Sequence, residues 1–279
     1  MTDQPKPKKK VVHTEASASD HAADTSTTGT AKGDGPVWTP TTEAKGKATQ
    51  FRVIAWIGWL LAIGLEAVLI FWVLRQNPVN MWLLIGGIVV IGALASVGSF
   101  FWKKANRLDP ASSKDKVRFF IQNQLGAIMS IIAFLPLIIL IFTNKNMDGK
   151  QKALAGSIGI VVAVVAVAVF GIDYAPPSQE QYAQETAAVT SLTGGKDSVY
   201  WVKGGSVFHL CESVPDVNRE SKDGTISEGT VAQAHAAGKE RLTKKWENEA
   251  LNYCGYTQEQ VDSARAAFEA ASADVPGEN

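Results

Sequence analysis

His209 and Cys211 stand two residues apart, with Cys254 far downstream, and histidine and cysteine are the preferred ligands of zinc. A closed structural zinc site takes four ligands, and no Cys-x-x-Cys pair supplies the other two, so His209 and Cys211 are weak ligands and no metal or other cofactor is expected. On an alternating strand the two side chains share one face, as ordinary half-buried residues do. A Cys211–Cys254 disulfide requires that this part of the chain lie outside a reducing cytosol. The other chemically notable residue is Glu66, an ionisable group inside a long apolar run, where burying a charge is costly. Proton transfer through Glu66 would need a relay, but no other apolar run contains a carboxylate or histidine. A structural task such as pairing with another helix is therefore expected. Gln122, Asn123 and Gln124 open another apolar run, where their amides can bond across helices or cap loop carbonyls. His13 and His21 stand in the N-terminal tail and His235 on an expected surface-type helix, apart from any nucleophile. With no phosphate-cradling glycine loop, paired nucleophile and base, or haem or quinone motif, the sequence predicts no enzyme.

The elements that must position these residues are mostly apolar helices. Four windows reach the roughly 20 residues needed to cross a bilayer: Val53–Leu74, Met81–Trp102, Phe119–Phe142 and Ala153–Ile172. Trp56, Trp72, Trp82 and Trp102 fall near their ends, where amphipathic rings favour the headgroup layer. Pro136 removes one hydrogen bond from the third helix. Gly92 and Ser96 in the second window, and Ala155, Gly159 and Ala163 in the fourth, recur at a spacing that lets backbones approach. These five are the expected partner contacts. A polar stripe, as a pore would need, is missing.

Charge sets the expected orientation. Lys45, Lys47, Arg52, Lys103, Lys104, Arg107, Lys114, Lys116 and Arg118 lie on one side, against Arg75, Lys145, Lys150 and Lys152 on the other. The positive-inside rule then places both termini of a multi-pass cell-membrane protein in the cytoplasm. Net charge is zero, and no nucleic-acid partner is expected.

Residues 1–50 mix seven lysines with six acidic residues, lack an apolar signal-peptide core and read as a disordered tail. The membrane domain covers residues 51–174, a polar linker 175–195 and a soluble domain 196–279. In the last, Val199–Val202 and Ser206–Leu210 flank Lys203-Gly204-Gly205 as a hairpin. Thr230 caps a short helix ending at Gly238, a second helix covers about Lys239–Leu251, and Thr257 with Gln260 opens a last helix to about Ala271. The fold class is an α-helical membrane protein with four transmembrane helices and a small α+β soluble domain.

The stretches Trp102–Pro110, Phe120–Ala127, Phe134-Leu135-Pro136, Asn144–Lys152 and Pro177–Tyr182 resemble a widespread family of actinobacterial four-helix membrane proteins. Val199-Tyr200-Trp201, His209-Leu210, Gly229-Thr230 and Leu242 are similar to a small module often attached to that family. Where the module carries a closing Cys-x-x-Cys, this chain has Thr243-Lys244-Lys245-Trp246, which leaves a degenerate zinc module. The resemblance implies no enzymatic activity. It implies an accessory role beside membrane lipids and other membrane proteins, with cytochrome bcc and cytochrome oxidase subunits of a respiratory supercomplex as partners. The alternatives are a small transporter or ion conductor using Glu66, and a membrane-anchored metal sensor using His209 and Cys211.

Overall fold

A computed structural model describes residues 10–13, 38–221 and 223–272, which fall into two units. The first comprises residues 40–111 and 115–176, and four of its helices are long and apolar enough to cross a membrane. These are α1 (Thr42–Phe71, extended by one tight turn, Val73–Arg75), α2 (Met81–Leu108), α3 (Lys116–Thr143) and α4 (Gly149–Val165, continued as a widened turn, Ala166–Gly171). Thr41, Asn80, Asp115 and Asp148 each cap a helix by accepting a backbone N–H, and Asp148 with Gln151 completes a capping box. Helix α1 thus begins eleven residues before its apolar window and within the expected tail.

Small residues set how closely the helices approach. A Cβ on Gly92 would stand 2.3 Å from Val162 Cγ1, and one on Gly98 2.6 Å from the Trp59 indole. Gly92 and Gly159 are buried, Ala155 is fully buried, and Ala163 packs against the same core. Gly92, Ala155 and Gly159, expected at partner contacts, are instead used inside the bundle; Ser96 and Ala163 are half-buried. The closest approach to another helix's backbone is at Gly171, where an added Cβ would meet Ala127, 2.7 Å from Cα and 2.9 Å from N. Backbone cannot rotate away as a side chain can. Gly171→Ala should therefore destabilise the bundle by about 1–3 kcal/mol. Thermal denaturation of the purified chain in detergent would measure this, with Gly64→Ala, which meets nothing within 4 Å, as the neutral control.

Of the tryptophans expected in the headgroup layer, Trp56, Trp72 and Trp82 are exposed. Trp102 is not. Its ring packs 5.5 Å from Trp59, and its Nε1–H donates to the Gln122 carbonyl at 2.6 Å. Most buried indoles find such an acceptor, and for Trp102 the start of α3 provides it.

Of the described residues, the second unit comprises 10–13, 38–39, 112–114, 177–221 and 223–272. The expected linker is α5 (Gln179–Thr193), capped by Ser178 and ended by Gly194 in the left-handed conformation. Tyr182, Glu185, Val189 and Leu192, three and four residues apart, form its buried face. Next come β2 (Val199–Trp201), β3 (Val207–Phe208), α6 (Pro215–Glu220), β4 (Thr225–Gly229), α7 (Val231–Ala236), β5 (Arg241–Leu242), α8 (Trp246–Asn252) and α9 (Gln258–Ser272). The expected hairpin survives as one antiparallel bridge, with Tyr200 and His209 exchanging two 2.8 Å backbone bonds. Otherwise β2 pairs with β4, and β3 runs parallel to β5. The Thr230–Gln233 and Thr257–Gln260 caps form as expected. The second expected helix starts later, at Trp246, because residues 241–242 pair with β3.

Part of the tail is ordered against this unit. Lys10–His13 forms β1, parallel to β4 in register Val11–Ile226, and Trp38 packs edge-on against Tyr182 at 4.8 Å. His21 lies outside the described residues.

Candidate functional site

Within the membrane unit, Glu66 is 5% exposed, and its Oε1 accepts the Leu137 N–H at 3.3 Å. Leu137 follows Pro136, where the ring interrupts the hydrogen-bond ladder of α3. Glu66 thus serves a helix-to-helix structural task beside a proline. The amide trio works in a similar way. Gln122 donates to the Asp109 carbonyl (2.9 Å), Gln124 to that of Asp173 (3.4 Å) and Asn123 to that of Phe119 (2.9 Å). Around them, Arg52 pairs with Asp109 at 2.7 Å, and Lys103 Nζ donates to the Ile172 carbonyl at 2.6 Å. Together these bonds tie loop carbonyls to the polar ends of the helices, while among the described residues Asn123 Oδ1 and Asp173 Oδ2 accept no hydrogen bond.

In the second unit, two histidine–carboxylate pairs are buried. His235, on α7, places Nε2 2.5 Å from Glu185 Oε2 and Nδ1 3.0 Å from the Lys239 carbonyl. A carbonyl can only accept, so Nδ1 carries a hydrogen, and a proton bridges Nε2 and the carboxyl group. Glu185 Oε1 also accepts the Leu242 N–H at 3.0 Å and the Gln181 side-chain amide at 3.1 Å. Tyr182 stacks on the His235 ring with centroids 3.9 Å apart. Helix α5, α7 and β5 are therefore joined through one carboxyl group. The second pair is His209 Nδ1 with Glu249 Oε1 at 2.9 Å, only 3% and 5% of the two side chains being exposed. Lys239, also buried, points its ammonium at the carbonyls of Val202, Lys203 and Gly205, at 2.6, 3.3 and 2.5 Å. That closes the glycine turn after β2.

The cysteines bear on the metal-sensor alternative. Cys211 and Cys254 form a disulfide, so Cys211 is not a thiolate ligand, and His209 is engaged by Glu249. Among the described residues, no three of His, Cys, Asp and Glu group as a metal site. Thr243 and Trp246 are buried, and Trp246 joins the core of Val199, Trp201 and Phe208.

No family model, curated protein or solved structure matches this chain. Its chemistry is thus read from its own geometry, in which the buried polar groups bind one another. The partners Glu185 and Glu249 were not foreseeable in the sequence, lying 50 and 40 residues from their histidines. Only the 3-4-3 spacing that puts Glu185 on the apolar face of α5 hints at it.

Asp197 gives this unit a pH dependence. Burial pushes its carboxyl up to about 6, against the lowering effect of the Val231 N–H, which it accepts at 3.0 Å, and of nearby His235. Between about pH 4 and 6 the folded state keeps a proton that the unfolded state has released, so this group's contribution to stability falls as pH rises. Asp197→Asn keeps an acceptor but cannot ionise. From pH 4 to 7 the wild type should lose about 3 kcal/mol relative to this variant. Hydrogen exchange of the α5–α9 amides at the two pH values would show the difference.

Proposed function

We propose that this chain is a non-catalytic accessory protein of the cell membrane that packs against larger membrane partners. The observation that supports this most is the openness of α4. Only 22% of its apolar window is buried within the structure, against 39–44% for the other three spanning helices. Val161, Val164, Val165 and Val169 on α4 and its continuation are 44–62% exposed. β-branched side chains pack with little loss of rotamer freedom, so this row suits another helix as well as lipid. Gly92, Ala155 and Gly159, expected to make such contacts, serve the bundle, and the outward valine row takes over that role. The sequence resemblance adds the identity of the assembly, a supercomplex of cytochrome bcc with a cytochrome oxidase. The chain should co-purify with tagged cytochrome bcc in mild detergent, and its repeated absence would refute that assembly.

Both termini face the cytoplasm in this proposal, as the lysine and arginine placement directs. The Cys211–Cys254 bond argues for the opposite side, because a disulfide requires that this part of the chain lie outside a reducing cytosol, and labelling of intact cells decides between the two. In intact cells neither cysteine should react with an impermeant maleimide, before or after an impermeant phosphine. Labelling after the phosphine alone would put the domain outside. Glu66→Gln, which keeps an acceptor for Leu137, should leave proton flux into liposomes unchanged, whereas a loss of flux would favour the transporter reading.

A further inference from the structure

At one end of the bundle, a cleft of about 420 Å³ opens between the last turns of α1 and α3. This volume is in the range of small-molecule sites. Phe71 and Leu140 form an apolar wall, 63% and 39% exposed, and Arg75 and Lys145 stand on its polar rim. A side chain builds the cleft: Asn144 Nδ2 donates to the Leu74 carbonyl at 2.7 Å, while Asn144 Oδ1 accepts the Asn146 N–H at 2.6 Å. These bonds hold the loop after α3 to the end of α1. The Arg75 guanidinium lies 5.5 Å from the Phe71 ring centroid, so the cation adjoins the apolar wall. Among the described residues, no carboxylate lies within ion-pairing distance of Arg75 or Lys145.

We propose that this cleft binds an anionic phospholipid, its phosphate between Arg75 and Lys145 and an acyl chain along Phe71 and Leu140. The chemistry is specific in both parts. A guanidinium matches a phosphate with two parallel hydrogen bonds, and the two cations together favour a headgroup of net negative charge over a zwitterionic one, whose own cation they repel. The residues lie where the apolar stretches of α1 and α3 end, the depth of the headgroup layer. An apolar wall gives inorganic phosphate nothing to bind, so the occupant carries a hydrocarbon chain.

Native mass spectrometry of the full chain in dodecyl maltoside tests this with phosphatidylglycerol and phosphatidylcholine of the same acyl chains. The wild type should retain phosphatidylglycerol about tenfold better, two cations each strengthening the attraction. Arg75→Gln with Lys145→Gln should abolish the preference. Lys116→Gln with Arg118→Gln, which removes equal charge at the start of α3, should preserve it. Excess inorganic phosphate should displace nothing. Equal retention of the two lipids, an unchanged preference in the Arg75/Lys145 variant, an equal loss in the Lys116/Arg118 variant or displacement by phosphate would each overturn the proposal. Arg75 and Lys145 are exposed, and thermal denaturation checks that their variant folds. If it does not, Arg75→Lys with Lys145→Arg must keep the preference, and failure there also counts against the site.

Discussion

Replacing Glu185 by alanine should unfold residues 179–272 locally while leaving α1–α4 intact. The carboxyl group is 4% exposed and serves His235, the Leu242 N–H and the Gln181 amide at once. Removing it strands a buried imidazole and a buried backbone donor, a loss of about 3–5 kcal/mol when one partner of a buried ionic pair is deleted. Small domains have total stabilities of about 5–15 kcal/mol, so the loss is a large share. Glu185→Gln should cost less, since an amide oxygen still accepts from Leu242, while its interaction with His235 weakens. Hydrogen exchange on the full chain in detergent separates the two units by peptide. Faster exchange confined to α5–α9 is expected, and exchange as slow as in wild type would show that the carboxyl group contributes little.

The second large effect is expected at the disulfide. Cys211 follows β3 and Cys254 follows α8, with a sequence separation of 43. Closing a loop of that length removes chain entropy from the unfolded state, worth about 4 kcal/mol at 25 °C in the chain-entropy account. The bond also joins packing regions, because Cys254 touches both the Trp201–Phe208 core and the Val202–Ile226 cluster. Reducing the purified chain should therefore lower the stability of α5–α9 by about this amount. Cys254→Ser should behave like the reduced wild type and be insensitive to reductant. A wild type equally stable with and without reductant would contradict this.

How much of this was legible in the sequence depends on whether the signal was local. The four spanning helices follow from apolar runs of the right length, and their polar extensions, Thr42–Arg52, Lys103–Leu108, Lys116–Arg118 and Gly149–Lys152, exceed the windows. Hydropathy cannot report a turn that leaves the apolar layer while remaining helical. Capping signals were equally local, and the Thr230 and Thr257 caps stand where side-chain spacing put them. Helix α5 was missed because its composition is polar; its buried face is carried by only Tyr182, Glu185, Ala188, Val189 and Leu192. Gly92 and Gly159 showed that backbones approach, but not that the approach is internal. That depends on Val162 and Ile138 of neighbouring helices, which no periodicity in one helix reveals. The histidine partners and the pairing of β1 with β4 are likewise products of topology.

In the proposed role, α4 presents its open face to a larger membrane protein. A photo-crosslinking residue placed at Val164, 58% exposed, tests this most directly in cells that express the chain at its normal level. Irradiation should join it to a cytochrome bcc or oxidase subunit, while the same probe at the fully buried Ile91 should crosslink only within the chain. Crosslinks from Val164 to lipid alone, with none to protein, would contradict the account.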